Sequence, residues 1–330
     1  MSLSTRLKRI GLDTYLFLLL GTVVLAAILP ASGIGAQIVS KVAYFAVALL
    51  FFIYGAKLDT ASVVAGMTNW KLQLLVFATT YLLFPLVGLG LSSALSPWID
   101  PSIALGILFL AVLPSTVQSS IAFTSMAQGN VPAAVCAASL SNLVGVVLTP
   151  LLAALLFHTS GVGVSMDAII SIAVQILLPF VLGQVLRRWV GAWIVRHKKV
   201  TLFVDRGSIL LIVYSAFSAG MVAGVWQQVD GLTLALLVGA DMVLLAVIIA
   251  ASVLTSRAAK LSHADSMVML FCGSTKSLAS GLPIANILFI GQPISLIVLP
   301  LMLFHQLQLV VCAILAQRQA HRLSTTLQVA

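Results

Sequence analysis

The sequence predicts an all-α membrane protein of ten transmembrane helices in two inverted five-helix repeats, with helices 4 and 9 discontinuous. Three observations carry that expectation: the composition, the spacing of the apolar runs, and a weak internal repeat. Hydrophobic residues make up 61% of the 330 positions, charged residues 8%, and mean hydropathy is +1.17. A soluble domain of this size needs far more charge to cover its surface. The apolar residues recur in runs of about 18 or more, each enough to cross a hydrocarbon core ~30 Å thick. The lipid bilayer is therefore the expected surroundings of most side chains.

Ten spans are expected, at roughly 12–30, 37–56, 71–94, 102–128, 131–157, 167–188, 206–227, 231–255, 264–289 and 293–317. Residues 1–157 then form the first repeat (spans 1–5) and residues 158–330 the second (spans 6–10). Arg6, Lys8 and Arg9 before the first apolar run mimic a signal peptide, but the many spans that follow make an uncleaved first helix the expectation.

Net charge is +9, yet the basic residues form no single face or motif, so no nucleic-acid partner is expected. They fall between the apolar runs. With the N-terminus inside, all 17 lysines and arginines except Lys41 and Lys276 lie on the inner side. Both termini are then cytoplasmic, in a bacterial inner (plasma) membrane. Trp70, Trp98, Trp189, Trp193 and Trp226 stand near span ends, as interfacial anchors do. Cys136, Cys272 and Cys312 lie inside apolar runs without paired spacing and suggest neither a disulfide nor a metal framework.

The repeat is visible at two interruptions. Leu113-Pro114-Ser115-Thr116 precedes the polar residues Gln118, Ser119 and Ser120; Cys272-Gly273-Ser274-Thr275 precedes Lys276 and Ser277. The first interrupted span ends at Gly129-Asn130 with Pro132 after it, the second at Gly291-Gln292 with Pro293. Five spans separate the two, and an odd repeat inverts the second copy in the membrane. A break frees backbone donors and acceptors that lipid cannot satisfy, so they line a cavity or meet an ion, water or neighbouring protein. Paired breaks in inverted halves point to a transporter site; a pair of packing kinks is the plainer reading.

Intramembrane polar residues mark the same region. Lys276 lies 11 residues beyond Asp265 and Asp241 lies 11 beyond Asp230, each ~16 Å deep at 1.5 Å per residue. An Asp241–Lys276 pair is one solution; Lys276 in the broken-helix cavity with a separate, neutral Asp241 is the other. Asn142 stands mid-span in span 5, and His305, Gln306 and Gln308 mid-span in span 10. Asn142 and His305 fit cavity lining and interhelical hydrogen bonding equally, Gln306 is a candidate site residue, and His305 is also a candidate proton carrier. Ser139 and Ser141 read as interhelical hydrogen-bonding residues.

The stretches from Leu113 to Ala127 (LPSTVQSSIAFTSMA) and from Phe271 to Ala279 (FCGSTKSLA) resemble the bile acid:sodium symporter family, solute carrier family 10. More narrowly, they resemble its bacterial branch, related to the seventh human member. The resemblance implies a panel domain of spans 1, 2, 6 and 7 beside a core domain of spans 3–5 and 8–10, in which the broken spans cross. It implies sodium sites behind the crossing and organic anions in the cleft between the domains.

The sodium ligands do not carry over. The family's glutamate before the span-9 glycine matches Phe271, and this chain contains no glutamate. The span-4 asparagine matches Ile121, and the asparagine after the span-9 break matches Lys276. The Lys276 ammonium is therefore expected to occupy or repel the sodium position, leaving transport sodium-independent or proton-coupled.

The functional expectation is a secondary transporter of a small organic anion working by alternating access, with no resident cofactor and with sodium or protons as the candidate coupling ions. The alternative is a membrane regulator of ion (calcium) homeostasis or a ligand sensor that does not transport. An enzyme is not expected: the chain has no His-Glu-x-x-His helix, no paired aspartates and no Gly-x-Ser-x-Gly elbow. A nucleotide-binding loop is also missing, which argues against a primary pump.

Overall fold

A computed structural model describes residues 14–57, 69–159, 173–224, 227 and 229–329. The described residues are helical, with no strand among them. In chain order the helices are α1 (Thr14–Ile28), α2 (Gly33–Lys57), α3 (Trp70–Ala78), α4 (Phe84–Leu95), α5 (Pro101–Val112), α6 (Gln118–Met126), α7 (Val131–Thr159), α8 (Leu178–Arg196), α9 (Lys198–Val222), α10 (Gly231–Ala258), α11 (His263–Ser274), α12 (Leu278–Leu288) and α13 (Ile294–Val329). A π-helical turn, Thr79–Leu83, joins α3 to α4, and another, Ala173–Leu177, leads into α8.

Among the described residues, seven helical segments are long and apolar enough to cross a membrane. The expected spans outside that set are α1, which is short, the divided segment α5–α6, and the more polar α8 with its preceding turn. Arg6, Lys8, Arg9 and Trp226 lie outside the described residues. One boundary expectation is corrected. Spans 6 and 7 are separated by His197 alone, so Arg196, Lys198 and Lys199, expected between spans, lie on helices rather than in a loop. Lysine and arginine are good helix formers whose long stems reach water from a buried helix end, so charge alone does not mark where a helix stops.

The helix ends follow their sequences. Asp100 caps α5 by accepting from Ser102 N–H at 2.7 Å, with Pro101 at the first helical position. Asp230 caps α10 through Thr233 N–H at 2.7 Å, and Ser262 caps α11 through Asp265 N–H at 3.1 Å.

Two sets of neighbours organise the helices. In one, α2 packs along α8 and α9, and α9 also packs on α1. The α2–α8 approach depends on two glycines. A Cβ on Gly183 would lie 2.1 Å from Phe52 O, and one on Gly55 would lie 2.0 Å from Phe180 O. In the other set, α13 packs on α5, α10, α12 and α6, and α11 packs on α3, α6, α7 and α10. The α11–α12 segment is the most enclosed, with 94% of its window buried. Small-residue contact of this kind lets van der Waals packing hold apolar helices together where lipid removes the usual hydrophobic drive.

Candidate functional site

The two breaks have different local causes. In α5 the helix stops because Pro114 follows: proline lacks the N–H, and it drives the preceding residue out of the helical region. Leu113 is accordingly extended, at φ −73° and ψ 156°. The second break contains no proline. There the Ser274 hydroxyl donates to Leu270 O at 2.5 Å and the Thr275 hydroxyl to Phe271 O at 2.9 Å. Thr275 turns extended, and Ser277 caps α12 by accepting from Ser280 N–H at 3.1 Å. Serine and threonine offer the backbone alternatives to the helical ladder, and these residues take them.

The breaks meet. Ser277 N–H donates to Pro114 O at 2.8 Å, so main chain from one break bonds main chain from the other. The Ser115 hydroxyl shares a hydrogen bond with that of Thr275 at 3.0 Å. Thr116 joins it, donating to Thr275 Oγ1 at 3.1 Å and pairing with Ser119 at 2.6 Å and Ser120 at 2.9 Å. Ser120 also pairs with Thr275 at 2.7 Å and donates to Phe271 O at 3.1 Å. The far end of α6 is tied to the start of α11, where Asn130 Nδ2 donates to Asp265 Oδ1 at 2.9 Å and Asn130 N–H to Ala264 O at 3.0 Å. The first interrupted segment therefore ends on the side where the second begins.

Every carbonyl from residue 111 to 115 has a partner at the crossing. Ala111 O and Leu113 O each accept from Lys276 Nζ at 2.7 Å, and Val112 O from the Thr149 hydroxyl at 2.8 Å. Pro114 O takes Ser277 N–H, and Ser115 O accepts from Asn142 Nδ2 at 2.7 Å. A helix interrupted inside a dry protein must account for its freed groups in this way.

Lys276 is 0% exposed, and its third donor goes to Thr80 O at 2.8 Å. Thr80 O is available because of the π-turn. Phe84 N–H bonds Thr79 O in the five-residue register, and the next donor in that register is Pro85, which has no hydrogen. The ammonium also sits 4.1 Å from the centre of the Phe84 ring, a cation–π contact.

The Lys276–Asp241 pair does not form. All three Lys276 bonds go to main-chain carbonyls, while both Asp241 oxygens are buried with no hydrogen-bond partner. The reason is directional: the side chain of Lys276 turns toward the freed end of α5 and the π-turn, where negative carbonyl dipoles gather.

A cavity of about 560 Å³ lies on the other side of the crossing, between it and α2, α8 and α9. Of the expected site residues, Thr116, Gln118, Ser119, Asn142, Ser277, His305 and Gln306 line it. Ser115, Ser120, Gly273, Ser274, Thr275 and Lys276 do not; they form the layer behind. Lys276 is thus not a cavity residue, because its Nζ is directed into the carbonyls. Asn142 serves both layers, since its Oδ1 accepts from the Ser280 hydroxyl at 2.8 Å while its amide holds Ser115.

Three lining or supporting positions, Gln308, Lys57 and Arg206, fall outside the expected site residues. Gln308 is fully buried and accepts from Lys276 N–H at 2.7 Å while donating to Lys276 O at 2.8 Å. Because the Lys276 N–H can only donate, the Gln308 amide orientation is fixed. Its Nε2 then faces His305 Nδ1 at 2.8 Å, making that nitrogen an acceptor and leaving Nε2 to carry the ring hydrogen. Lys57 and Arg206 bring two cations to the lining from α2 and α9. The charge pattern alone places both on the inner side, because it does not distinguish a surface cation from one that lines a cleft.

Interrupted apolar helices, crossing at a buried polar layer and facing a cavity, define an integral membrane protein of the transporter class. The chain belongs to the SBF-like CPA transporter family, whose description matches residues 13–321. It is 53% identical over 311 residues to an uncharacterized protein of Pseudomonas aeruginosa, covering 94% of this chain and 93% of that one. It is 46% identical over 307 residues to the proposed symporter YfeH of Escherichia coli K12, covering 93% and 92%. Sodium/bile acid cotransporter 7 of Rattus norvegicus is 29% identical over 278 residues, covering 83% and 82%.

Proposed function

We propose that this protein is a secondary transporter of a small organic anion. The observation that carries the reading is the cavity: both breaks contribute to it, it lies between two sets of helices, and its lining includes Lys57 and Arg206. Its volume of about 560 Å³ suits a small organic solute. The first turns of α6 (Gln118, Ser119) and α12 (Leu278, Ala279, Ser280) also line it, so the positive ends of two helices add to the charge. The relatives named symporter and cotransporter agree with the class.

In this reading the chain makes ten spans in two inverted repeats. The panel is α1, α2, α8 and α9, and the core is α3–α7 and α10–α13. Alternating access is a shift of one against the other across the cavity, with both termini cytoplasmic in a bacterial inner membrane. Support comes from the packing sets and from the opposed directions of the two interrupted segments. Coupling to sodium through the family's glutamate is not available to this chain, where Phe271 stands at that position.

Uptake into liposomes containing only this protein tests the reading, with an organic-anion panel assayed with and without sodium and across pH. Saturable, anion-selective uptake is expected. Ligand-induced thermal stabilisation without any uptake would instead establish the sensor or regulator reading.

A further inference from the structure

Lys276 is a buried charge that no carboxylate among the described residues answers and that the cavity does not use. Its surroundings form a complete receptor for an ammonium ion. Three N–H groups meet three carbonyl oxygens, Thr80 O at 2.8 Å, Ala111 O at 2.7 Å and Leu113 O at 2.7 Å, and the Phe84 ring closes one side at 4.1 Å. These distances are those of charge-assisted N–H hydrogen bonds.

Each carbonyl is released by a local feature of the fold rather than by the lysine. Pro85 denies Thr80 its donor in the π register. Ser115 N–H, which would continue the α5 ladder to Ala111, bonds the Ser141 hydroxyl at 3.0 Å instead. Leu113 is already extended beyond the end of α5. Three carbonyl dipoles converging in a dry interior require a positive partner; without one they are among the costliest arrangements a protein interior can hold.

We propose that this carbonyl cage is a binding site for a monovalent cation of the primary-ammonium class, and that the chain fills it permanently with its own Lys276. The cage precedes the lysine in the logic of the fold: cut the side chain back and the site remains, now open to a free alkylammonium ion. A sodium ion fits it poorly. Sodium seeks a fuller shell of closer oxygens, whereas this site offers three oxygens at N–H distances and an aromatic face. The inference concerns the protein's resident cation and stands whether or not the chain transports.

Chemical rescue tests it. Lys276→Ala removes a propylammonium-sized fragment, so the purified variant is melted with n-propylammonium, methylammonium, sodium, tetramethylammonium and n-propanol. Expected is a lowered melting temperature that n-propylammonium restores saturably and methylammonium restores in part. Sodium, tetramethylammonium (which has no N–H) and neutral n-propanol are expected to have no effect, and the wild-type protein is expected to respond to none of the five.

Equal rescue by sodium would overturn the chemical class, equal rescue by n-propanol would reduce the site to an apolar void, and no rescue at all would remove the site. Lys276→Met, which keeps the bulk and drops the charge, decides the matter if the alanine variant does not fold. It is expected to melt below the wild type and to ignore n-propylammonium. A methionine variant as stable as the wild type would overturn the proposal, since the carbonyls would then need no cation.

Discussion

Gln308 clasps Lys276 by its backbone, accepting from N–H at 2.7 Å and donating to C=O at 2.8 Å across 32 residues of sequence. Asn142 does related work on the other break, holding Ser115 O at 2.7 Å. Each interrupted segment is thus fixed by a side-chain amide from the long helix that follows it, α13 for one and α7 for the other. An amide suits the task because it carries both a donor and an acceptor and no charge.

Replacing Gln308 with leucine leaves Lys276 N–H buried and unsatisfied, and leaves Lys276 O with only the long 3.5 Å contact to His305 Nδ1. Each such group costs roughly 1–3 kcal/mol, so a loss of several kcal/mol is expected in a denaturant or thermal titration of the purified protein. A loss under about 1 kcal/mol would mean that water or a neighbour replaces the clasp.

Pro85→Ala restores an N–H that can reach Thr80 O. The gain is one neutral hydrogen bond, worth about 1 kcal/mol, and the loss is one of three charge-assisted bonds to Lys276, worth about 1.5–3 kcal/mol. The variant is expected to melt lower than the wild type, against the usual rule that removing proline from a helix stabilises it. A higher melting temperature would show that the π-turn does not serve Lys276.

Gly183→Val tests the α2–α8 approach. The new Cβ would meet Phe52 O at 2.1 Å, and main chain cannot step aside as a side-chain end can. Overpacking of this kind costs about 1–3 kcal/mol. Reduced yield of folded protein and a lower melting temperature are expected, whereas the same change at Gly239, where nothing lies within 4 Å, is expected to be tolerated.

Arg206→Gln probes the cavity charge. If the substrate is an anion, loss of a charge-assisted contact worth about 1.5–3 kcal/mol raises the apparent KM for uptake by roughly ten-fold or more. Unaltered KM together with unaltered stability would place anion recognition at the helix ends alone.

Much of this site is legible in the sequence. Pro114 announces a break by chemistry that needs no tertiary context, and the cluster from Ser274 to Ser277 announces another by hydroxyl content. Thr116, Gln118, Ser119, Asn142, Ser277, His305 and Gln306 are polar residues in apolar runs, and all of them line the cavity. Lys276 stands out for the same reason. Its partners do not, because a main-chain carbonyl has no letter in the sequence. A charge balance drawn from side chains alone offers an Asp241–Lys276 pair as one solution and a separate, neutral Asp241 as the other, and neither names the carbonyls.

The sequence by itself determined that the chain is an integral membrane protein, that its helices are interrupted at Pro114 and around Ser274–Ser277, and which polar residues stand within apolar runs. Those properties follow from composition and local chemistry: apolar length, a missing N–H, a hydroxyl within reach of its own backbone. Only the tertiary structure decided that the two breaks interlock through Ser277 N–H and Pro114 O, that Lys276 faces away from the cavity, and that Arg206 and Lys57 face into it. Direction is the reason. A residue's type fixes what it can bond, but which way it points along an interrupted helix is set by the neighbours that supply the missing donors and acceptors.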